Sequence, residues 1–193
     1  MGKMTEGYWP EEVLTHYGNH LQGFRKPFQP ESRFTWGYAE VTDDTRFTLI
    51  VAESIMDKGS VSRQDVIQRI LNDRTKIKGW PAWDDFSKAA GLSEDKIAEF
   101  AKWRDRNGAP MRVSPIGIMS RPENLEKIIR DVESACSMTH GARSALSGAC
   151  AVAAAIAAAV EGWEKEKVFE FAIEAARLGE SLGNDDRSIS RPS

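Results

Sequence analysis

The sequence predicts an all-α fold, and three observations carry that expectation. Apolar residues recur at helical spacing in one segment after another. Ser and Pro stand where these segments start, and glycine where they stop. No segment alternates with the period of a half-buried strand, and Asn107-Gly108 is not flanked by strand-like runs.

The elements follow in order. Over residues 47–56, Phe47, Ile50, Val51 and Ile55 share one helical face, and Gly59 ends the run. Ser62 caps a second helix with Asp65 at its third position and Val66, Ile67, Ile70 and Leu71 turned inward. Ser93 opens a third, carrying Ile97, Phe100 and Ala101. Pro122 suits the first position of a fourth, with Leu125, Ile128, Ile129 and Val132 on its apolar face. Residues 145–160, ALSGACAVAAAIAAAV, read as an alanine-rich core helix packed closely on all sides. A last helix runs from about Lys165 to Leu178, bearing Val168, Phe171, Ala172 and Ala175, with Gly179 and Gly183 beyond it. No internal repeat or linker divides the chain. One domain over 1–193 is expected, with a loose polar tail at 184–193.

The bulk numbers narrow the function. A chain of 193 residues, 41% hydrophobic and 28% charged, can bury a sizeable core. The net charge of −3 comes without a long basic run, which argues against nucleic acid and against an anionic membrane surface. Cys136 and Cys150 lie in apolar helical surroundings, so two reduced, buried thiols are expected rather than a disulfide scaffold. The first residues, MGKMTEGYWPEEV, have no apolar signal-peptide core, and a cytoplasmic protein is expected. The alanine-rich stretch is short for a membrane span and only weakly hydrophobic.

Three short stretches could carry chemistry. Thr42-Asp43-Asp44-Thr45 stands where a helix begins. Thr42 or Asp43 can cap that helix, and an acidic first turn suits the positive end of its dipole. The same carboxylates and hydroxyls are hard oxygen donors of the kind Mg²⁺ or Ca²⁺ takes, though too few for a whole shell. In Asn107-Gly108-Ala109-Pro110-Met111-Arg112 a glycine turn can bring backbone N–H groups to a ligand, and Arg112 can pair with phosphate or carboxylate. An ordinary helix stop is the plain alternative. Thr139-His140-Gly141 precedes the alanine helix, where a histidine is either structural or turned to an anionic ligand.

Other groupings are weaker. His16 and His20 have the spacing of a helical zinc pair, but Gly18-Asn19 interrupts the helix and no third ligand is evident. Asp185-Asp186 repeats the double aspartate inside the polar tail. Trp80-Pro81-Ala82-Trp83-Asp84-Asp85 either walls an aromatic pocket or caps the next helix.

Taken together and in order, the TDDT, RNGAPMR and MTHG stretches resemble the ADP-ribosylglycohydrolase family, which includes the dinitrogenase reductase-activating glycohydrolases. The resemblance runs from about Tyr8 to Asp186 and is clearest at 38–58 and 105–162. It implies an all-α multi-helix bundle with a binuclear Mg²⁺ site, sometimes Mn²⁺. It also implies hydrolysis of the glycosidic bond joining ADP-ribose to a protein side chain or small molecule. By resemblance Thr42, Asp43 and Asp44 are metal ligands, with Asp43 and Asp44 also catalytic. Asn107, Gly108, Ala109 and Met111 belong to the ADP-ribose cradle, Arg112 supports that loop, and His140 lines the site.

The family pattern has an opening Gly-Asp-Ala-Leu-Gly helix with a following glutamate, and a closing Gly-Gly-Asp-x-Asp-Thr motif. This sequence contains neither, and has Arg106 where the family has the first glycine of Gly-Asn-Gly. An incomplete bundle is therefore expected, one that a partner chain or self-association completes. The alternative function is a non-hydrolytic ADP-ribose-binding or regulatory module without a full metal site.

Overall fold

The computed structural model describes residues 8–19, 23, 25 and 40–184. Among the described residues the chain forms nine α-helices and no strand: α1 (Pro10–Tyr17), α2 (Asp43–Lys58), α3 (Arg63–Asn72), α4 (Trp83–Ala90), α5 (Glu94–Ala101), α6 (Ser114–Met119), α7 (Leu125–Cys136), α8 (Arg143–Val160) and α9 (Lys165–Glu180). The fold is all-α, as the sequence predicts.

The cap chemistry sets many of the boundaries. The Ser62 and Ser93 hydroxyls accept from the backbone N–H groups of Asp65 and Lys96, so α3 and α5 begin where their caps dictate. Gly59, at φ 72°, takes the left-handed conformation that ends α2. α2 itself starts at Asp43, four residues ahead of the apolar stripe at Phe47, so the acidic pair falls within the helix's first turn. Pro122 opens a short 3₁₀ turn, Pro122–Asn124, and α7 proper begins at Leu125 rather than at the proline. The missing N–H of proline suits either kind of first turn, which is why the sequence does not separate them.

Two apolar clusters fill the interior. The larger gathers around α8, whose Ala149, Cys150, Ala153, Ala154, Ala157 and Ala158 are fully buried. Small side chains let α6, α7 and α9 approach this helix closely. A Cβ on Gly117 of α6 would stand 2.6 Å from the Ala153 carbonyl oxygen. One on Gly179 of α9 would stand 2.8 Å from Cys150 Sγ. The packing is not all-round: Val152, at 37% exposure, marks an open stripe along α8. By length and composition α8 is also apolar enough to cross a membrane. Cys136 and Cys150 are unpaired and buried, as expected. Burial pushes their thiols up to about 11 and about 12, so both stay protonated and unreactive at neutral pH.

The second cluster is aromatic. Trp80 meets Phe47 edge-on with centroids 5.1 Å apart, and lies 5.5 Å from Phe86 and 6.3 Å from Phe100. A carboxylate organises the turn that delivers Trp80. Asp73 Oδ1 accepts from the backbone N–H groups of Thr75, at 2.8 Å, and Ile77, at 3.3 Å, while Oδ2 accepts from Arg46 of α2. Burial alone would raise the Asp73 carboxyl, but these hydrogen bonds outweigh it and hold the pKa below the usual value. Lys76 and Ile77 sit at φ 51° and 47°, a left-handed pair that costs energy for non-glycine residues. The Asp73 hydrogen bonds and the complete burial of Ile77 offset that cost.

α1 has no counterpart among the sequence-predicted helices. Pro10 at its first position and Glu12 back-bonding the Trp9 N–H, at 2.8 Å, hold its start, but none of its residues is buried. The Gly18 stop after His16 is present, at φ 74°, whereas His20 lies outside the described residues. Asn184, the first residue of the expected polar tail, is tied down by its backbone. Its N–H donates to Gly141 O at 2.8 Å, and its carbonyl accepts from Arg143 N at 2.8 Å. The rest of that tail, with Asp185-Asp186, lies outside the described residues.

Candidate functional site

The start of α2, the 79–82 turn, the 104–111 loop and His140 converge on one cavity of about 880 Å³. Each wall has its own chemistry.

The acidic wall is residues 40–45. Thr42 occupies the N-cap position of α2, yet its side chain makes no cap hydrogen bond. The hydroxyl donates instead to Asp44 Oδ2 at 3.0 Å. Thr42, Asp43 and Asp44 all line the cavity, so a helix start and a set of oxygen donors coincide there. Thr48, one turn on, bridges the Asp44 and Met111 carbonyl oxygens with its hydroxyl, at 2.7 and 3.1 Å. The acidic turn and the facing loop are thereby held together.

The apolar wall is Gly79, Trp80, Pro81 and Ala82. Trp80 to Ala82 wall the cavity, while Ala82, at the N-cap position of α4, makes no side-chain cap hydrogen bond.

The third wall is the 104–111 loop, of which Asn107, Gly108 and Met111 line the cavity. Gly108 is required by close approach, because a Cβ there would lie 2.3 Å from the His140 ring. Ala109 and Arg112 are fully buried behind the loop and do not line the cavity. Arg112 Nε donates to the Gly108 carbonyl at 2.7 Å, and its guanidinium lies 3.8 Å from the Phe47 ring centroid. Its two terminal nitrogens have no hydrogen-bond partner among the described residues. Burial lowers the Arg112 pKa to about 10, against the opposing pull of Cys136 and Asp43, so the side chain remains a cation at neutral pH. It clasps the loop to α2 rather than facing a ligand.

His140 closes the site. Burial, then the charges of Arg112 and Arg104, depress its pKa to about 3, so the ring is neutral at pH 7. The Thr139 hydroxyl donates to the Cys136 carbonyl at 3.2 Å, leaving its oxygen to accept from His140 Nδ1 at 3.0 Å. This pattern assigns the proton to Nδ1 and leaves Nε2 as an acceptor beside Gly108.

Two cations complete the lining: Arg104, which the sequence did not single out, and Arg106, which it marked only as a departure from the family pattern. The signal available was the Arg-Asp-Arg run directly before Asn107. Among the described residues no group of three or more His, Cys, Asp or Glu side chains gathers into a ready metal cage.

The sequence profile of the ADP-ribosylglycohydrolase family matches residues 1–190. The chain belongs to the ADP-ribosylglycohydrolase family. The chain is 30% identical over 175 residues to the uncharacterized protein YegU of Escherichia coli, covering 84% of this chain and 50% of that protein. It is 26% identical over 179 residues to an uncharacterized protein of Archaeoglobus fulgidus, covering 88% of this chain and 54% of that one. The chain therefore spans about half the length of these curated relatives.

Proposed function

We propose that this ADP-ribosylglycohydrolase-family chain forms the ADP-ribose half of a Mg²⁺-dependent site. The reaction is hydrolysis of the glycosidic bond between ADP-ribose and a protein side chain or small molecule. What supports the reading is one observation: Thr42, Asp43, Asp44, Asn107, Gly108, Met111 and His140, from three separate segments, line a single cavity.

The donor chemistry fits a hard cation in part. Mg²⁺ is commonly held by one or two carboxylates, with water and substrate oxygens completing an octahedron. Asp43 and Asp44, with the Thr42 hydroxyl, suffice for one such ion. A second ion needs carboxylates that no described residue gathers there. When bound, such an ion supplies Lewis acidity, holding hydroxyl oxygens and lowering the pKa of water.

The chain's own residues do the rest. The Asp43 and Asp44 carboxylates stabilise the positive charge of an oxocarbenium-like transition state. The neutral His140 accepts a hydrogen bond at Nε2 and, so close to Gly108, fixes where a sugar hydroxyl can sit. Arg112 keeps the Gly108 carbonyl turned to itself.

The test is release of ADP-ribose from ADP-ribosyl-arginine or ADP-ribosyl-serine with Mg²⁺, with and without the remaining half of a relative supplied in trans. Release is expected, and Asp43→Asn and Asp44→Asn should each slow it by about 100-fold. No release under either condition refutes hydrolysis. Metal-independent ADP-ribose binding without release would favour the binding or regulatory module, a reading supported by the lack of a three-ligand metal cluster among the described residues.

A further inference from the structure

We infer that Arg104 and Arg106 form a cationic subsite that selects ligands carrying a phosphate or diphosphate group. The inference deepens the ADP-ribose reading and rests on the same cavity, but on residues to which the metal and cradle assignments give no role. Both side chains line the cavity on the loop wall, while Glu40, Asp43 and Asp44 line it from the segment that opens α2. Positive and negative charge are thus segregated on two faces of one concave site. Neither arginine makes an ion pair among the described residues, and no cavity carboxylate neutralises them.

Arg104 is also preorganised. Its guanidinium lies 3.9 Å from the Phe100 ring centroid, and its Nε donates to the Phe100 carbonyl at 3.2 Å. Those two contacts fix the plane and leave the terminal nitrogens for a ligand. Burial lowers the Arg104 pKa and Asp85 opposes that shift without an ion-pair contact, so an anion reaching the fork would stabilise this half-buried cation further. The guanidinium fork suits the paired oxygens of a phosphate ester. Arg106 is exposed beside Asn107 and free to close over the same anion.

The anion can be the diphosphate of a nucleotide sugar or a phosphate on an acceptor. Calorimetry on the 193-residue chain in EDTA, with sodium pyrophosphate, ADP-ribose, O-phosphoserine and adenosine as probes, separates these sources. Pyrophosphate and ADP-ribose should bind, more weakly at high salt. The Arg104→Gln/Arg106→Gln double variant should lose about tenfold in affinity for both, while adenosine binding is unchanged. Arg106→Gln alone alters an exposed residue and should still weaken pyrophosphate measurably. Arg104→Lys, which keeps the charge, should retain more affinity than Arg104→Gln. Undiminished pyrophosphate binding in the single and double variants, or none by the parent chain, overturns the subsite. Arginine-dependent pyrophosphate binding with no preference for ADP-ribose upholds the subsite and refutes the nucleotide-sugar reading. A preference for O-phosphoserine assigns the anion to the acceptor.

Discussion

The two halves of the interior are built on opposite principles. Around α8 the packing is backbone to backbone, with alanine, glycine and cysteine at the seam. Around Trp80 it is ring to ring, with Phe47, Phe86 and Phe100 filling the space between widely spaced elements. The alanine seam has no room for an added methyl. The aromatic layer cannot lose a ring without leaving a void. The candidate cavity opens on the aromatic side, lined by Trp80, Ala82 and Met111 of that layer, and no residue of α8 lines it.

The largest effect should come from Phe47→Ala. It removes a fully buried ring and the face on which Arg112 lies, at a cost of about 3–5 kcal/mol by denaturant unfolding. A cost near that of a surface substitution would show that the aromatic layer is not a core. Next comes Gly117→Ala, which sets a methyl against the Ala153 carbonyl and the Ile156 side chain. It should cost about 1–3 kcal/mol, although alanine is the better helix former. Stabilisation on adding that methyl would mean the seam is looser than its geometry implies.

A third effect separates the two regions by pH. The seam thiols, with pKa raised to about 11 and about 12, change nothing between pH 4 and pH 7. His140 titrates near 6.5 when unfolded but only near 3 when folded. Between those values the unfolded state binds more protons, so stability is full above pH 6.5 and declines as pH falls toward 3. Urea unfolding at pH 7 and pH 4 should show a larger drop for the parent chain than for His140→Gln. Equal drops would mean that His140 is not held neutral by the fold.

Much of the fold was legible because α2, α3, α5, α7, α8 and α9 each bury an apolar stripe, and several carry caps. α1 was not, because it buries nothing and so has no stripe to read. α6, six residues long, is too short to show a period. The site was legible where chemistry is local: the TDDT turn, Asn107-Gly108 and His140 are motifs of adjacent residues. It was not legible where assembly decides. Arg112 reads from sequence as a charged side chain able to reach a ligand, but folding places it under Phe47 with no exposure. Arg104 carries no motif of its own and Arg106 shows only as a departure from the family pattern, and only the placement of the acidic wall opposite gives them a cavity to face. Of the two readings of Trp80–Asp85, the cavity wall is the one that the geometry carries, since Ala82 at the start of α4 has no side-chain oxygen with which to cap it.

The central claim is that one cavity joins an acidic metal-binding turn to an ADP-ribose cradle. Titration of the chain with ADP-ribose, in Mg²⁺ and in EDTA, tests it most directly when repeated on Asp43→Asn/Asp44→Asn. The account predicts binding that Mg²⁺ strengthens in the parent chain and leaves unchanged in the variant. Absence of ADP-ribose binding in both buffers, or the same strengthening by Mg²⁺ without the two carboxylates, would contradict it.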